Sequence, residues 1–224
     1  ALRHAELRAV AGAVLDHLVV AARSLDEGRD WMEERLGVPA GGGGRHAAMG
    51  TVNALWKLGR AYLEVIAIDR EAPAPGRPRW FALDSPAMEA RLAARPRLVT
   101  WQVRPATGLD AALDAIGAEV ATGPAMRLSR DGLSWRLTVP EDGTMPWGGL
   151  FPVLIEWDAG CRPPSVTLPE TGLGLRSLTL RGAGAGLGQA LALAGAERLA
   201  TLDPVGPTAL EAAIDTPDGP VTLD

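Results

Sequence analysis

Cysteine is almost missing from this chain: Cys161 is the only one in 224 residues. An internal disulfide is excluded, which fits a reducing compartment, and the expected location is cytoplasmic. Cys161 lies in "DAGCRPPS" (158–165) with no histidine near it in sequence, so the pattern of a catalytic thiol is lacking. Long apolar runs are also absent. No stretch approaches the roughly 20 residues of a membrane-spanning helix, so no membrane association is expected. The opening "ALRHAELRAVAGA" (1–13) is interrupted by Arg3, His4, Glu6 and Arg8 and is too broken for a signal peptide. It reads as an extension ahead of the first domain. Basic runs are missing too: 22 Lys and Arg are scattered through a chain of net charge −5, which argues against a nucleic-acid surface. The "GGGG" run (41–44) lacks the Gly-Lys-Ser/Thr ending of a phosphate loop, so it reads as a flexible loop and no nucleotide cofactor is expected. Phenylalanine and tyrosine are scarce, at two and one, against seven tryptophans.

What is present is a repeated unit. "AVLDHLVVAA" (13–22) reads as a buried strand. "SLDEGRDWMEERLG" (24–37) follows as a helix, with Ser24 and Glu27 in a capping-box pattern and Gly37 at the stop. Short strands then run through "AYLEVIAID" (61–69). The order recurs with "LVTWQV" (98–103), a helix over "GLDAALDAIG" (108–117), and strands at "GLSWRLTV" (132–139) and "FPVLIEWD" (151–158). A shorter third copy begins at "GLRSLTL" (174–180), with a helix over "GLGQALALAG" (186–195). His17, Trp101 and Ser177 align in the first strands, and Glu64 in "YLEV" aligns with Glu156 in "LIEW". The expected fold class is α+β: repeated βαβββ units forming curved mixed sheets around a cleft, with a third partial unit at the C-terminus. The expected domains are a two-unit body over 14–160, made of units 14–69 and 98–158 joined by the five-proline linker 70–97, and a partial unit over 173–224. The third unit either covers a sheet edge or mediates a homodimer.

A carboxylate inside an apolar strand is costly unless paired or bound to a cation. A histidine and two carboxylates converging from paired units make a reasonable site for a divalent ion, Mn²⁺, Fe²⁺, Ni²⁺ or Zn²⁺. His46 has a side chain suited to proton transfer near neutral pH. Thr51 and Asn53 are neutral hydrogen-bonding groups on a cleft-lining strand.

The βαβββ repeat, with "LDHLVVAARSLDEGRDWMEERLGV" and "RHAAMGTVNALWKLGRAYLEVIAID", resembles the vicinal oxygen chelate superfamily, and within it a glyoxalase-like domain over 14–160. The superfamily includes glyoxalase I, extradiol dioxygenases, methylmalonyl-CoA epimerase and bleomycin resistance proteins. The resemblance implies metal ligands at His17, Glu64 and Glu156, with Trp101 at the fourth position, where an indole cannot ligate and instead faces substrate. It implies His46 and Glu64 as catalytic groups, Thr51, Asn53 and Trp101 as substrate-binding groups, and a small molecule with vicinal oxygens as the substrate. A lyase, isomerase or dioxygenase follows from this. A metal-free binding protein of the bleomycin-resistance type is the alternative.

Overall fold

The computed structural model describes residues 12–224. The 1–13 extension expected from the sequence lies almost wholly outside the described residues. The first unit runs β1 (Val14–Ala21), α1 (Leu25–Leu36), β2 (Gly42–His46), β3 (Thr51–Leu58) and β4 (Ala61–Ile68). The second runs β5 (Arg97–Arg104), α3 (Leu109–Ile116), β6 (Ala125–Arg130), β7 (Leu133–Thr138) and β8 (Val153–Trp157), after a short α2 (Pro86–Leu92) in the connection. The helix ends follow local chemistry. Ser24 Oγ accepts from Glu27 N, and Gly37 closes α1 in a left-handed conformation, its N–H donating to Glu33 O.

The two units form one eight-stranded sheet in the order β2-β3-β4-β1-β5-β8-β7-β6. Within each unit the first and last strands are parallel neighbours. The first strands of both units pair antiparallel at the centre, with His17 opposite Gln102. The sheet curls until its edges meet: Arg130 on β6 reaches His46 on β2. The glycine run is therefore an edge strand, not a free loop. Gly44 has no side chain where the Arg130 guanidinium lies; a Cβ there would sit 3.0 Å from its carbon. Glycine at this position is what lets the arginine cross.

The convex side packs against the helices in one large core that includes Leu18, Trp56, Leu63, Trp101, Val103, Leu109 and Ile116. The concave side carries a second cluster, with Val19, Ile66, Trp80, Phe81, Trp135, Leu137 and Ile155. The last part of the chain holds a short α4 (Pro164–Thr167), then β9 (Gly174–Arg181), α5 (Leu187–Leu193), β10 (Thr201–Asp203), β11 (Ala209–Thr216) and β12 (Gly219–Leu223). Its separate four-stranded sheet is ordered β10-β9-β11-β12, unlike the first two units. Leu178, Leu187, Leu191 and Ile214 join the larger core, so this unit covers the convex side rather than an edge of the main sheet. No helix among the described residues is long and apolar enough to cross a membrane.

Candidate active site

The concave face holds a small cavity of about 30 Å³, lined among others by His17, His46, Asn53, Tyr62, Glu64, Gln102 and Arg130. Strand alternation puts most of these side chains there: Tyr62 and Glu64 lie two apart on β4, and His17 faces Gln102 across the central pair. Asp16 reaches the same group by a different device. The β1–β5 register slips between Leu15 and His17, leaving Asp16 as the extra residue of a bulge. Its carboxylate therefore bonds its own neighbour, with Asp16 Oδ1 at 2.7 Å from His17 Nδ1. Asp16 Oδ2 accepts from Trp157 Nε1 at 2.9 Å and lies 3.0 Å from Arg104 Nε.

His17 Nε2 sits 3.3 Å from Glu64 Oε2, and the imidazole stacks on Tyr62 with centroids 4.3 Å apart. Asn53 Nδ2 donates to Glu64 Oε1 at 2.5 Å. Burial opposes both charges in this pair, and the neighbours outweigh it. Against that desolvation, Asp16 and Glu64 raise the His17 pKa to about 9. The His17 cation and the Asn53 amide lower Glu64 to about 2 against the same penalty. Burial pushes the Tyr62 phenol well above its ordinary value, with the Asp16 and Glu64 charges adding to the shift.

His46 behaves oppositely. Burial, joined by the nearby Arg130 and His17 cations, lowers its pKa to about 4 against the opposite pull of Glu64. It is neutral at pH 7. Its Nδ1 pairs with Thr51 Oγ1 at 3.1 Å, and its Nε2 faces Arg130 NH1 at 3.2 Å. The Arg130 NH1 also donates to Asn53 Oδ1 at 3.0 Å. Arg130 thus spans the mouth between the sheet edges and is the cationic group at the opening.

The expected site residues fall into two groups. His17, His46, Asn53 and Glu64 line the cavity, and Thr51 stands behind His46. Glu156 and Trp101 do not join them. Glu156 points to the other side of β8, where its Oε1 accepts from Leu109 N at 3.0 Å at the start of α3 and its Oε2 pairs with Arg136. It serves the helix N-terminus, where a carboxylate is favoured. Trp101 is fully buried in the convex core, its Nε1 donating to Leu150 O at 2.9 Å.

The reason is a one-residue slip in matching the repeats, which flips the face. In the first unit His17 pairs with Tyr62 and Glu64 lies two residues on; in the second, Gln102 pairs with Val153 and Ile155 lies two residues on. Gln102 and Ile155 are thus the true counterparts of His17 and Glu64. The expected triad of His17, Glu64 and Glu156 is not gathered, and among the described residues no three His, Cys, Asp or Glu side chains form a metal-sized group. Sequence reading also missed Asp16 and Arg130. The signals available were a carboxylate adjacent to the strand histidine and the arginine of "LSRDG" (128–132) at a hairpin turn.

Paired βαβββ units around a cleft of this kind define the vicinal oxygen chelate fold. The family described as the glyoxalase-like domain matches residues 15–197, and the chain belongs to it. A hypothetical protein from Staphylococcus aureus has a similar structure, with TM-score 0.53 at 13% identity over 93% of this chain and 83% of that one. Methylmalonyl-CoA epimerase from Mycobacterium tuberculosis aligns with TM-score 0.41 at 18% identity, over 66% of this chain and 87% of that one. A variant of the Streptomyces coelicolor methylmalonyl-CoA epimerase, in complex with 2-nitronate-propionyl-CoA, gives 0.43 at 15% identity, over 67% and 99%. No curated protein matches the chain.

Proposed function

We propose that the protein is a metal-dependent enzyme of the isomerase or lyase type, moving a proton beside a carbonyl in a small anionic substrate with vicinal oxygens. The observation that carries this reading is the meeting of His17, Glu64 and Gln102 in one cavity, with the Gln102 amide oxygen buried and without a hydrogen-bond partner. A buried amide oxygen left unpaired is costly, and a cation satisfies it. Asp16 occupies Nδ1 of His17, which leaves Nε2 as the ligating atom. A carboxylate behind a ligating histidine is the usual supporting arrangement. Asn53 fixes one oxygen of Glu64 and leaves the other turned to His17.

These donors fit a divalent ion that accepts nitrogen and oxygen, with Ile155 at the fourth position leaving a side open. When bound there, such an ion polarises a substrate carbonyl as a Lewis acid. Arg130 binds the substrate's anionic oxygen at the mouth. Burial is the main cause of the low His46 pKa; pairing Arg130 with an anion removes one cation that adds to it and makes it easier for His46 Nε2 to take a proton. Trp80, Trp135 and Trp157 wall the site and keep water out.

The test is oxalate, which carries two neighbouring oxygens on an anion. Protein incubated with Mn²⁺, Ni²⁺, Zn²⁺ or Fe²⁺ is assayed by elemental analysis and then titrated with oxalate. Near-stoichiometric metal, with oxalate bound tightly only to loaded protein and more weakly to Arg130→Leu, is the expected result. No metal retained under any of the four conditions refutes the metal-dependent reading. Oxalate binding equally to metal-free protein favours the sequestering alternative.

A further inference from the structure

We propose that Arg130 is a latch: the cleft is shut as it stands, and substrate enters through the seam between β2 and β6 when the guanidinium leaves His46 and Asn53 for Asp131. This rests on the functional reading above for what enters; the latch itself needs no metal. The cavity of about 30 Å³ has room for about two waters. A molecule with two neighbouring oxygens is larger than that, so one wall has to move before it is admitted.

Most of the wall is fastened by backbone. β3, β4, β1, β5, β8 and β7 are joined neighbour to neighbour by ladders. The 79–82 stretch over them is tied by Arg79 Nε to Gly50 O and by Ala82 N to Gly143 O. The seam is different. β2 and β6 are the two ends of the sheet order, and among the described residues no ladder joins them. Arg130 NH1 donates across the gap to His46 Nε2 at 3.2 Å and to Asn53 Oδ1 at 3.0 Å. Among the described residues no other hydrogen bond or ion pair links β2 or β3 to β6 or β7.

The guanidinium is also poorly satisfied where it lies. Both bonds come from one nitrogen, and Arg130 Nε is buried without a hydrogen-bond partner. A buried donor left unpaired favours a position that pairs it. Asp131 Oδ2 lies 3.6 Å from that Nε, just beyond bonding distance. The Asp131 side chain is 78% exposed, in the turn between β6 and β7, and has no other ion-pair partner among the described residues. A small outward move of Arg130 therefore exchanges the His46 and Asn53 contacts for a charge pair in solvent. Gly44 sets the balance from the other side. Its missing side chain makes the room in which the guanidinium crosses, and a Cβ there would stand 3.0 Å from both the guanidinium carbon and NH1. Closed, Arg130 occupies Nε2 of His46, so the latch holds that proton acceptor idle until an anion draws the guanidinium away.

The experiment is acylation of His46 by diethyl pyrocarbonate in metal-free protein at pH 7, followed by mass spectrometry of the peptide that carries it, since the reagent needs an open, neutral imidazole nitrogen. Gly44→Ala crowds the closed position, and overpacking of this kind is expected to speed the reaction about tenfold or more. Asp131→Asn removes the charge that receives the guanidinium and is expected to slow it about two- to fivefold. The association rate of oxalate with Mn²⁺-loaded protein, by stopped flow, should rise in Gly44→Ala by the same factor as the acylation, because both read the open fraction. Equal His46 reactivity in wild type and Gly44→Ala overturns the latch; if Gly44→Ala does not fold, Arg130→Leu takes its place in the acylation and is judged the same way. No slowing in Asp131→Asn overturns Asp131 as the receiving group. Faster acylation with unchanged oxalate association means that ligand enters elsewhere, and also overturns the latch. Acylation as expected, with oxalate bound by neither form, sustains the latch and counts against the metal-dependent reading instead.

Discussion

Raising the pH of metal-free protein should weaken it through one buried group. His17 is held at about 9 in the fold, against an ordinary 6.5 in the unfolded chain. Because the folded value is the higher one, its contribution is complete below about pH 6.5 and is lost as the pH rises through about 9. The full difference corresponds to about 3 kcal/mol. It belongs to the His17, Asp16 and Glu64 cluster jointly and is counted once. For a chain of this size, each kcal/mol moves the melting temperature by roughly 2–4 °C. Chelator-treated protein melted at pH 6 and pH 9.5 should therefore lose about 6–12 °C, with the fall centred above pH 7. Glu64→Gln removes one of the two carboxylates that hold the proton, so its fall should be smaller and end at lower pH. A melting temperature that is flat over this range, or the same pH profile in Glu64→Gln, would refute the charged His17–Glu64 pair.

Four further outcomes follow from the geometry. Glu156→Ala should lose the acceptor at the start of α3, costing about 1 kcal/mol and roughly 2–4 °C by calorimetry, with oxalate binding unchanged. Arg130→Leu should weaken oxalate by roughly tenfold or more and raise the His46 pKa from about 4, read by NMR titration of its ring protons. Asp16→Asn should destabilise the protein by about 3–5 kcal/mol in urea unfolding, since it leaves Arg104 and His17 facing a neutral amide at a buried position. Trp101→Phe should cost about 1–3 kcal/mol through the orphaned Leu150 carbonyl, again without touching ligand affinity.

The repeat, the helices and the cleft side of the first unit were legible because alternation and capping act locally. Ser24 and Gly37 bound α1 where the pattern said, and His17, Asn53 and Glu64 share the concave face. The second half of the site was not legible. Matching Trp101 to His17 and Glu156 to Glu64 is a slip of one residue, invisible in composition and decisive for direction. Trp101 is bulky and apolar, and the neighbouring Gln102 is the residue that the antiparallel register sets opposite His17. Asp16 alternates away from His17 on paper, and only the bulge turns it back. Arg130 depends on closure of the sheet, a long-range event that brings β6 to β2. The 70–97 connection, read as a linker from its prolines, carries Trp80 and Phe81 over the cleft because Arg79 Nε donates to Gly50 O and Ala82 N to Gly143 O.

Mn²⁺ titration followed by electron paramagnetic resonance on Gln102→Leu and Glu156→Ala tests the central claim most directly. The account predicts that Glu156→Ala binds the ion as the wild type does and that Gln102→Leu loses most of that binding. Wild-type affinity in Gln102→Leu, or loss of the ion in Glu156→Ala, would contradict it.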